Sequence, residues 1–259
     1  VIPIRTVTLP PADHTNCYLL GDPEGEFIIV DPALRYREDM ENLVAAVKRH
    51  SGNAIAIAYT HSHGDHIGDG KLLEEAFDLP VWGSEYTASQ VACDRILRDG
   101  ELLQLGKQQW QVIETNGHHP GHLCFAGEAG LLAGDMVAGF GTILIPPATG
   151  DMDLYIEELR QLRELQPNLL FPSHGPVIAL PQHKLNHYID HRSARHQKVL
   201  QAVKDGYSNL SEIAVAAYAD TPNAHPGLAK DQTLAHLLSH QRRNKVISDS
   251  SDNWYASID

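Results

Sequence analysis

Thr60-His61-Ser62-His63-Gly64-Asp65-His66 is the stretch from which the rest of the chain is read. It follows Ala54-Ile-Ala-Ile-Ala-Tyr59, an apolar run that predicts a buried strand. Four metal-ligating side chains therefore stand at a strand end, where loops on a rigid sheet carry chemistry. Side chains two apart in an extended segment lie on the same side, so His61 and His63 converge on one ion. Gly64 lets the chain turn, and Asp65 and His66 beyond it face a second ion. The bland alternative is a solvated polar loop, which an apolar strand leading straight into it disfavours.

The partners of this stretch lie downstream. Gly117-His118-His119-Pro120-Gly121-His122 precedes a strand-like Leu123-Cys-Phe125. Leu132-Ala-Gly-Asp135 ends an apolar run on a carboxylate, and Phe171-Pro-Ser-His174-Gly175 ends one on a histidine. Singly each is a weak signal, because a lone His at a strand end is usually only hydrogen-bonded. Together the motifs supply five histidines and two aspartates. Two divalent ions, each with three protein ligands and one shared carboxylate, require such a set.

Around these motifs the chain alternates strand and helix patterns, which indicates an α/β architecture. Phe27-Ile-Ile-Val30, Leu79–Trp82, Gln111–Glu114, Leu131–Ala133 and Leu169–Phe171 are predicted strands. Met40–Arg49 and Asp153–Leu165 are predicted helices. After Pro181 the pattern turns helical: His183–Lys204, Leu210–Tyr218 and Leu228–Asn244, then Val246-Ile-Ser and Trp254-Tyr-Ala as a short hairpin. Three helices and a hairpin resemble a winged helix. Two domains are expected, a catalytic one over 1–182 and a helical, winged-helix-like one over 183–259.

Composition narrows the function classes. The 259 residues carry a net charge of −13, with 42% hydrophobic and 20% charged side chains. Residues 190–259 are balanced in charge, so the whole excess sits on the first part of the chain. An acidic body is a poor non-specific binder of nucleic acid or anionic membrane. No apolar run is long enough to span a bilayer. Cys17, Cys93 and Cys124 form no CxxC, which fits a reducing, cytoplasmic compartment.

HxHxDH, then PGH, then GD, then SHG resembles the metallo-β-lactamase superfamily, over residues 61–175. The resemblance implies an αββα sandwich with two metal ions at one edge. It implies that His61, His63 and His122 hold the first zinc and that Asp65, His66 and His174 hold the second. Asp135 bridges the two. Iron and manganese are the alternative metals. Asp135 argues against a true β-lactamase, and the tail differs from that of glyoxalase II. Ser173-His-Gly-Pro-Val-Ile178, Tyr188-Ile-Asp-His191-Arg192 and Trp254 resemble the lactamase-beta-2-like branch. Gly68-Asp69-Gly70 departs from that branch, where paired glycines are common.

The implied chemistry is hydrolysis by a metal-bridging hydroxide, with Asp65 and Asp135 as the catalytic carboxylates. The expected substrate is a small ester or thioester. Cleavage of single-stranded RNA is the alternative, with Arg242-Arg243-Asn244-Lys245 as the one basic cluster. A nucleic-acid-binding regulator and an iron-dependent redox enzyme are further readings. His14, His118, His119 and His191 are candidates to protonate a leaving group. Asp31 is expected to orient a ligand imidazole or to cap the turn before Pro32. His191 and Arg192 either reach the substrate or lie on the surface. His50, His183, His187, His196, His225, His236 and His240 are expected on the surface. Substrate reading is assigned to the Pro10–Asn16 and Gly139–Asp151 loops. Oligomeric state is not legible in the sequence.

Overall fold

Phe27-Ile-Ile-Val30 is apolar at consecutive positions because both faces of its strand are covered. Phe27 and Ile29 point into one hydrophobic cluster, and Ile28 and Val30 into another. The computed structural model describes residues 1–257, and they form two compact units. The first unit comprises Val1–Thr115, Pro120–Ile143 and Gln166–Gln182. The second comprises Asn116–His119, Leu144–Leu165 and the chain from His183 onward.

The first sheet runs β1 (Ile2–Arg5), β2 (His14–Gly21), β3 (Glu26–Val30), β4 (Asn53–Ala58), β5 (Val81–Gly83) and β6 (Arg95–Ile96), in that order. Its first three strands are antiparallel, and β3 to β6 are parallel. The parallel part is crossed by α1 (Arg37–Lys48), α2 (Gly64–Ile67), α3 (Gly70–Ala76) and α4 (Glu85–Ala88). The second sheet is an antiparallel meander of β7 (Leu102–Leu105), β8 (Gln108–Thr115), β9 (His122–Gly127) and β10 (Gly130–Gly134). β11 (Leu170–Pro172) joins β10 in parallel.

The two sheets face each other across one core. Tyr18, Leu20, Ile28, Val30, Ala56 and Ala58 meet Leu103, Trp110, Val112, Leu123, Phe125 and Leu132. Met40 and Leu43 of α1 and Leu73 of α3 cover the other face of the first sheet, over Ile29, Ile57 and Tyr59. Trimming one such buried aliphatic side chain to Ala costs about 2–5 kcal/mol.

β1, β2, β6 and β7 are absent from the sequence-based prediction. β2, His-Thr-Asn-Cys-Tyr-Leu-Leu-Gly, carries polar residues at buried positions, so neither an apolar run nor a clean alternation marks it. A further difference is Asp69, which departs from the family pattern. It is exposed, and its Oδ1 accepts the Lys71 amide at 2.9 Å as the N-cap of α3. Gly68 before it has φ of 65°, and a Cβ there would lie 2.5 Å from the Leu34 backbone, so only glycine fits.

The second unit consists of α5 (Met152–Glu164), α6 (Pro181–Lys204), α7 (Leu210–Ala217), α8 (Pro226–Arg242) and the hairpin β12 (Val246–Ser248)–β13 (Trp254–Ala256). Val199, Val203, Ile213, Leu237, Val246 and Trp254 form its core. The Asn116–His119 loop belongs here because Glu158 of α5 accepts the Asn116 and Gly117 amides at 2.6 and 2.8 Å. Among the described residues, no helix is long and apolar enough to cross a membrane.

Two side chains expected at the surface, His236 and His240, are buried in this unit, and so is Arg192, for which the surface was one of two readings. Arg192 donates from Nη1 to Gln232 Oε1 at 2.8 Å, and its guanidinium lies 5.7 Å from the Tyr155 ring centre. Arg192 has a polar partner on α8 and an aromatic face, and His236 and His240 have polar partners on α6; these make burial of the three groups tolerable, which a polar sequence pattern does not reveal.

Candidate metal centre

β4 ends at Ala58, and the chain passes through Tyr59 and Thr60 into the histidine motif. Thr60 is fully buried, and its Oγ1 donates to Asp31 Oδ2 at 2.7 Å. The Thr60 amide donates to Asp31 Oδ1 at 2.8 Å. With its proton committed to Asp31, Thr60 Oγ1 accepts from His61 Nδ1 at 3.0 Å. Asp31 Oδ2 also stands 2.9 Å from His66 Nδ1. One buried carboxylate therefore holds the back of two imidazoles, one directly and one through a threonine. In each ring the Nε2 lone pair is left pointing forward.

Asp31 adopts a left-handed φ of 51°, a strain on the order of 1 kcal/mol that the surrounding bonds sustain. Its carboxylate spans two segments, Thr60 and His66, rather than capping the turn before Pro32.

His61 Nε2 and His63 Nδ1 lie 2.8 Å apart. One nitrogen from each of these rings and an oxygen of Asp135 fall within 4.8 Å of one another. Asp65, His66 and His174 form a second group within the same limit. His66 Nε2 is buried without a hydrogen-bond partner, 3.9 Å from Asp65 Oδ1 and 3.7 Å from Asp135 Oδ1. His174 Nε2 is 3.6 Å from Asp65 Oδ2 and 3.4 Å from Asp135 Oδ1. Two ligands of one tetrahedral ion, each at about 2.1 Å, stand roughly 3.4 Å apart. The spacings among Asp65, His66, His174 and Asp135 are those of neighbours around a cation, whereas His61 and His63 stand at hydrogen-bond distance; the donor set as a whole fits divalent metal ions.

His122 comes to the same place by another route. The Leu123 amide donates to the Thr60 carbonyl at 2.7 Å, which sets β9 against the end of β4. The His122 and His61 ring centres are 5.1 Å apart. His122 Nδ1 pairs with Thr115 Oγ1 at 2.8 Å, and its Nε2 accepts the Asp135 amide at 3.0 Å. Gly134 makes this approach feasible: φ is 53°, and a Cβ would sit 2.3 Å from His122 Nε2. The Gly-Asp pair of the motif thus has a steric reason.

The electrostatics follow from carboxylates meeting imidazoles out of water. Burial by itself would lower the proton affinity of His66, but Asp31 and then Asp135 outweigh it and raise it well above the ordinary range. His174 behaves likewise: burial lowers it, and Asp135 raises it further. Burial would raise the Asp135 carboxyl, yet His174 and His66 hold it well below the usual carboxylate range. The arrangement of charges in the pocket favours positive charge there.

The other candidates are placed as follows. His14 is half-buried, with Nδ1 2.7 Å from Asp13 Oδ1. His118 and His119 are buried in the second unit, and His118 Nδ1 lies 3.0 Å from the Leu144 carbonyl. His191 is half-buried on α6, where burial and then Arg192 and Arg195 push it down to about 4. Thr60, Thr115, Thr15 and Asn16 hold the backbone and rings of this site, a role the sequence reading does not assign to them; Thr15 and Asn16 fall in the stretch expected to read substrate, but they lie on β2 rather than in a loop. Thr60 adjoins the motif and Thr115 precedes it on a strand, but nothing local marks either as a histidine partner.

A model of the metallo-beta-lactamase superfamily matches residues 10–90 and 93–174, a range that includes all seven motif residues from His61 to His174. The chain belongs to the metallo-β-lactamase superfamily. A "Beta-lactamase-like protein 2 homolog" of Drosophila melanogaster is 29% identical, over 93% of this chain and 87% of its own. An atrochrysone carboxyl ACP thioesterase of Aspergillus fumigatus is 28% identical, over 94% and 82%. Among solved structures, a metallo-beta-lactamase family protein of Thermus thermophilus superposes with a TM-score of 0.79 at 21% identity, over 98% of this chain and 97% of its own. At that identity the likeness is one of fold. A protein solved in a di-iron-bound form is 30% identical with a TM-score of 0.54, over 71% and 96%.

Proposed function

We propose that this superfamily member is a hydrolase working with two divalent metal ions on small ester- or thioester-like substrates. The observation that carries this reading is the orientation of the imidazoles. Asp31 and Thr60 engage His66 and His61 at Nδ1, Thr115 engages His122 there, and the Nε2 atom of His66 turns towards Asp65 and Asp135. We assign His61, His63 and His122 to the first ion and Asp65, His66 and His174 to the second, with Asp135 shared; His122 Nε2 takes its ion in exchange for the Asp135 amide hydrogen bond. An imidazole-rich set with two carboxylates suits zinc, and iron is the competitor that the di-iron relative supports. Two such ions supply a water activated near neutral pH and a Lewis-acid pole for the oxygen of the electrophile.

The chain's own residues do the rest. Asp31 and Thr60 keep the ligand rings from rotating, so the site is ordered before substrate arrives. Asp135 and Asp65 set the charge of the pocket. An apolar cavity of about 310 Å³ lies beside the His174 loop, lined in part by Pro3, His14, Phe140, Gly175, Pro176 and Val177. It suits an acyl or aryl group. A thiolate leaves without a proton, so a thioester asks least of the chain, whereas an alkoxide leaving group needs a donor such as His14. The thioesterase relative supports the same substrate class. The three cysteines form no disulfide, which supports a reducing compartment.

RNA cleavage is less well supported. Arg242 is paired with Asp151 at 2.7 Å and Arg243 with Asp153, so the basic cluster is engaged within its own unit. The same pairs weigh against a regulator built on α6, α7, α8 and the hairpin as a winged helix.

The test is metal content together with a hydrolysis panel of an acyl thioester, a lactone, a cephalosporin and a single-stranded RNA, with Asp135→Ala as control. Near two zinc ions per chain and Asp135-dependent thioester turnover are expected. One iron, or turnover unchanged in Asp135→Ala, overturns the reading.

A further inference from the structure

The start of β2 touches the backbone of both loops that carry the second ligand group. Asn16 is 5% exposed and lies 158 positions before His174 in the chain. Its side-chain amide has two protons, and both are used: Nδ2 donates to the Pro172 carbonyl at 2.9 Å and to the Gly175 carbonyl at 2.8 Å. These two carbonyls bracket Ser173-His174. The Asn16 amide nitrogen donates to the carbonyl of Ser173 at 2.7 Å, so one residue grips the turn three times. Its neighbours extend the grip. The His14 carbonyl stands 3.0 Å from His174 Nδ1, which orients the ring, and Thr15 Oγ1 donates to the Asp65 carbonyl at 2.7 Å. His61, by contrast, is held through Thr60 at the end of β4.

We propose that Asn16 is a positioning residue for the second metal ion, setting the ring of His174 through the turn that carries it. The proposal rests on the two-ion reading above and adds that the second ion depends on the start of β2, a scaffold additional to Asp31, which serves both ions. Thr15 acts on the same ion through Asp65. The physical reason is geometric. Gly175 has φ of 82°, a conformation that leaves the turn without the restraint a side chain provides, so its carbonyls need outside donors to hold one orientation. A ligand arm free to rotate costs affinity at its own ion and little at the other.

The test is stepwise titration of the metal-free protein with Co²⁺, read by its ligand-field spectrum, with zinc affinities from chelator competition. Asn16→Ala is expected to weaken one of the two binding steps by about 10–100-fold and to move the other by less than about threefold. Thr15→Val weakens the same step. Tyr18→Phe, which removes a second donor to the Pro172 carbonyl but leaves Asn16 in place, serves as control and keeps both steps. Should Asn16→Ala fail to fold, Asn16→Ser, which keeps one donor, carries the same prediction at a smaller size. Unchanged affinities, or equal losses at both steps, overturn the proposal. Fewer than two cobalt ions on the unsubstituted protein would break the two-ion reading itself and take the proposal with it.

Discussion

Histidines crowd together in two regions of this molecule, with opposite consequences. In the first unit His61, His63, His66 and His174 meet the carboxylates Asp31, Asp65 and Asp135. In the second, His196, His236 and His240 pack between α6 and α8. The His196 and His240 rings stack with centres 3.6 Å apart, and the Nδ1 atoms of His196 and His236 face each other at 3.1 Å. The charges around this second cluster are mostly positive: Arg192, Arg195 and Lys204 on α6 and Arg243 after α8, with Asp153 of α5 as the counter-charge. Burial and then His240 push His196 down to about 4, burial and then His196 push His236 well below its ordinary value, and burial lowers His240. A crowd of histidines is thus not in itself a metal site. Carboxylates in front of the rings and acceptors behind them make one, while stacked rings among arginines make a neutral, tightly packed core.

The sharpest way to break the comparison is Asp135→Ala, which removes the carboxylate common to both ligand groups. A loss on the order of 10³-fold in kcat/KM, about 4 kcal/mol, is expected with an acyl thioester. Retained turnover would mean that the first cluster is no more catalytic than the second. Next in size is Asp31→Asn, which keeps the shape but weakens the hold on His66 and Thr60. Metal affinity is expected to fall about 10–100-fold, measured by chelator competition. An unchanged affinity would show that the rings hold themselves.

The pH response sharpens the contrast from the other side. In the helical unit the folded histidines bind protons more weakly than they would unfolded, so the unfolded chain carries the extra protons between roughly pH 6.5 and 4. Stability of that unit therefore falls as pH drops through this window, by on the order of 1.4 kcal/mol per pH unit for each titrating histidine. Hydrogen exchange along α6 and α8 at pH 7 and pH 5 measures it. His236→Phe should flatten the dependence; an equally steep loss in that variant would place its origin elsewhere. The smallest effect is expected from Arg242→Ala, whose half-exposed pairs with Asp151 and Asp153 contribute within about 1 kcal/mol, and thioester turnover should not change.

Much of the ligand geometry is legible in the sequence because it is local. The alternation of side chains along an extended segment pairs His61 with His63, and α2 after Gly64 carries Asp65 and His66. The strands with continuous apolar runs are legible for the same reason. β2 is not, since its Thr15, Asn16 and Cys17 become buried only when the sheet and the His174 loop close over them. The histidines of α8 escape a sequence reading because their polar character says nothing of the neighbouring helix that shelters them.

Local pattern sets which residue types are on offer and in what order along the chain, because period-two and period-3.6 repeats and glycine hinges act over a few residues. Which carboxylate, hydroxyl or carbonyl stands behind each imidazole follows from the packing of the folded chain. Asp31 and the His14 carbonyl come from segments far along the chain from the rings they hold, and a ring nitrogen finds its hydrogen-bond partner in whatever group the fold sets within about 3 Å.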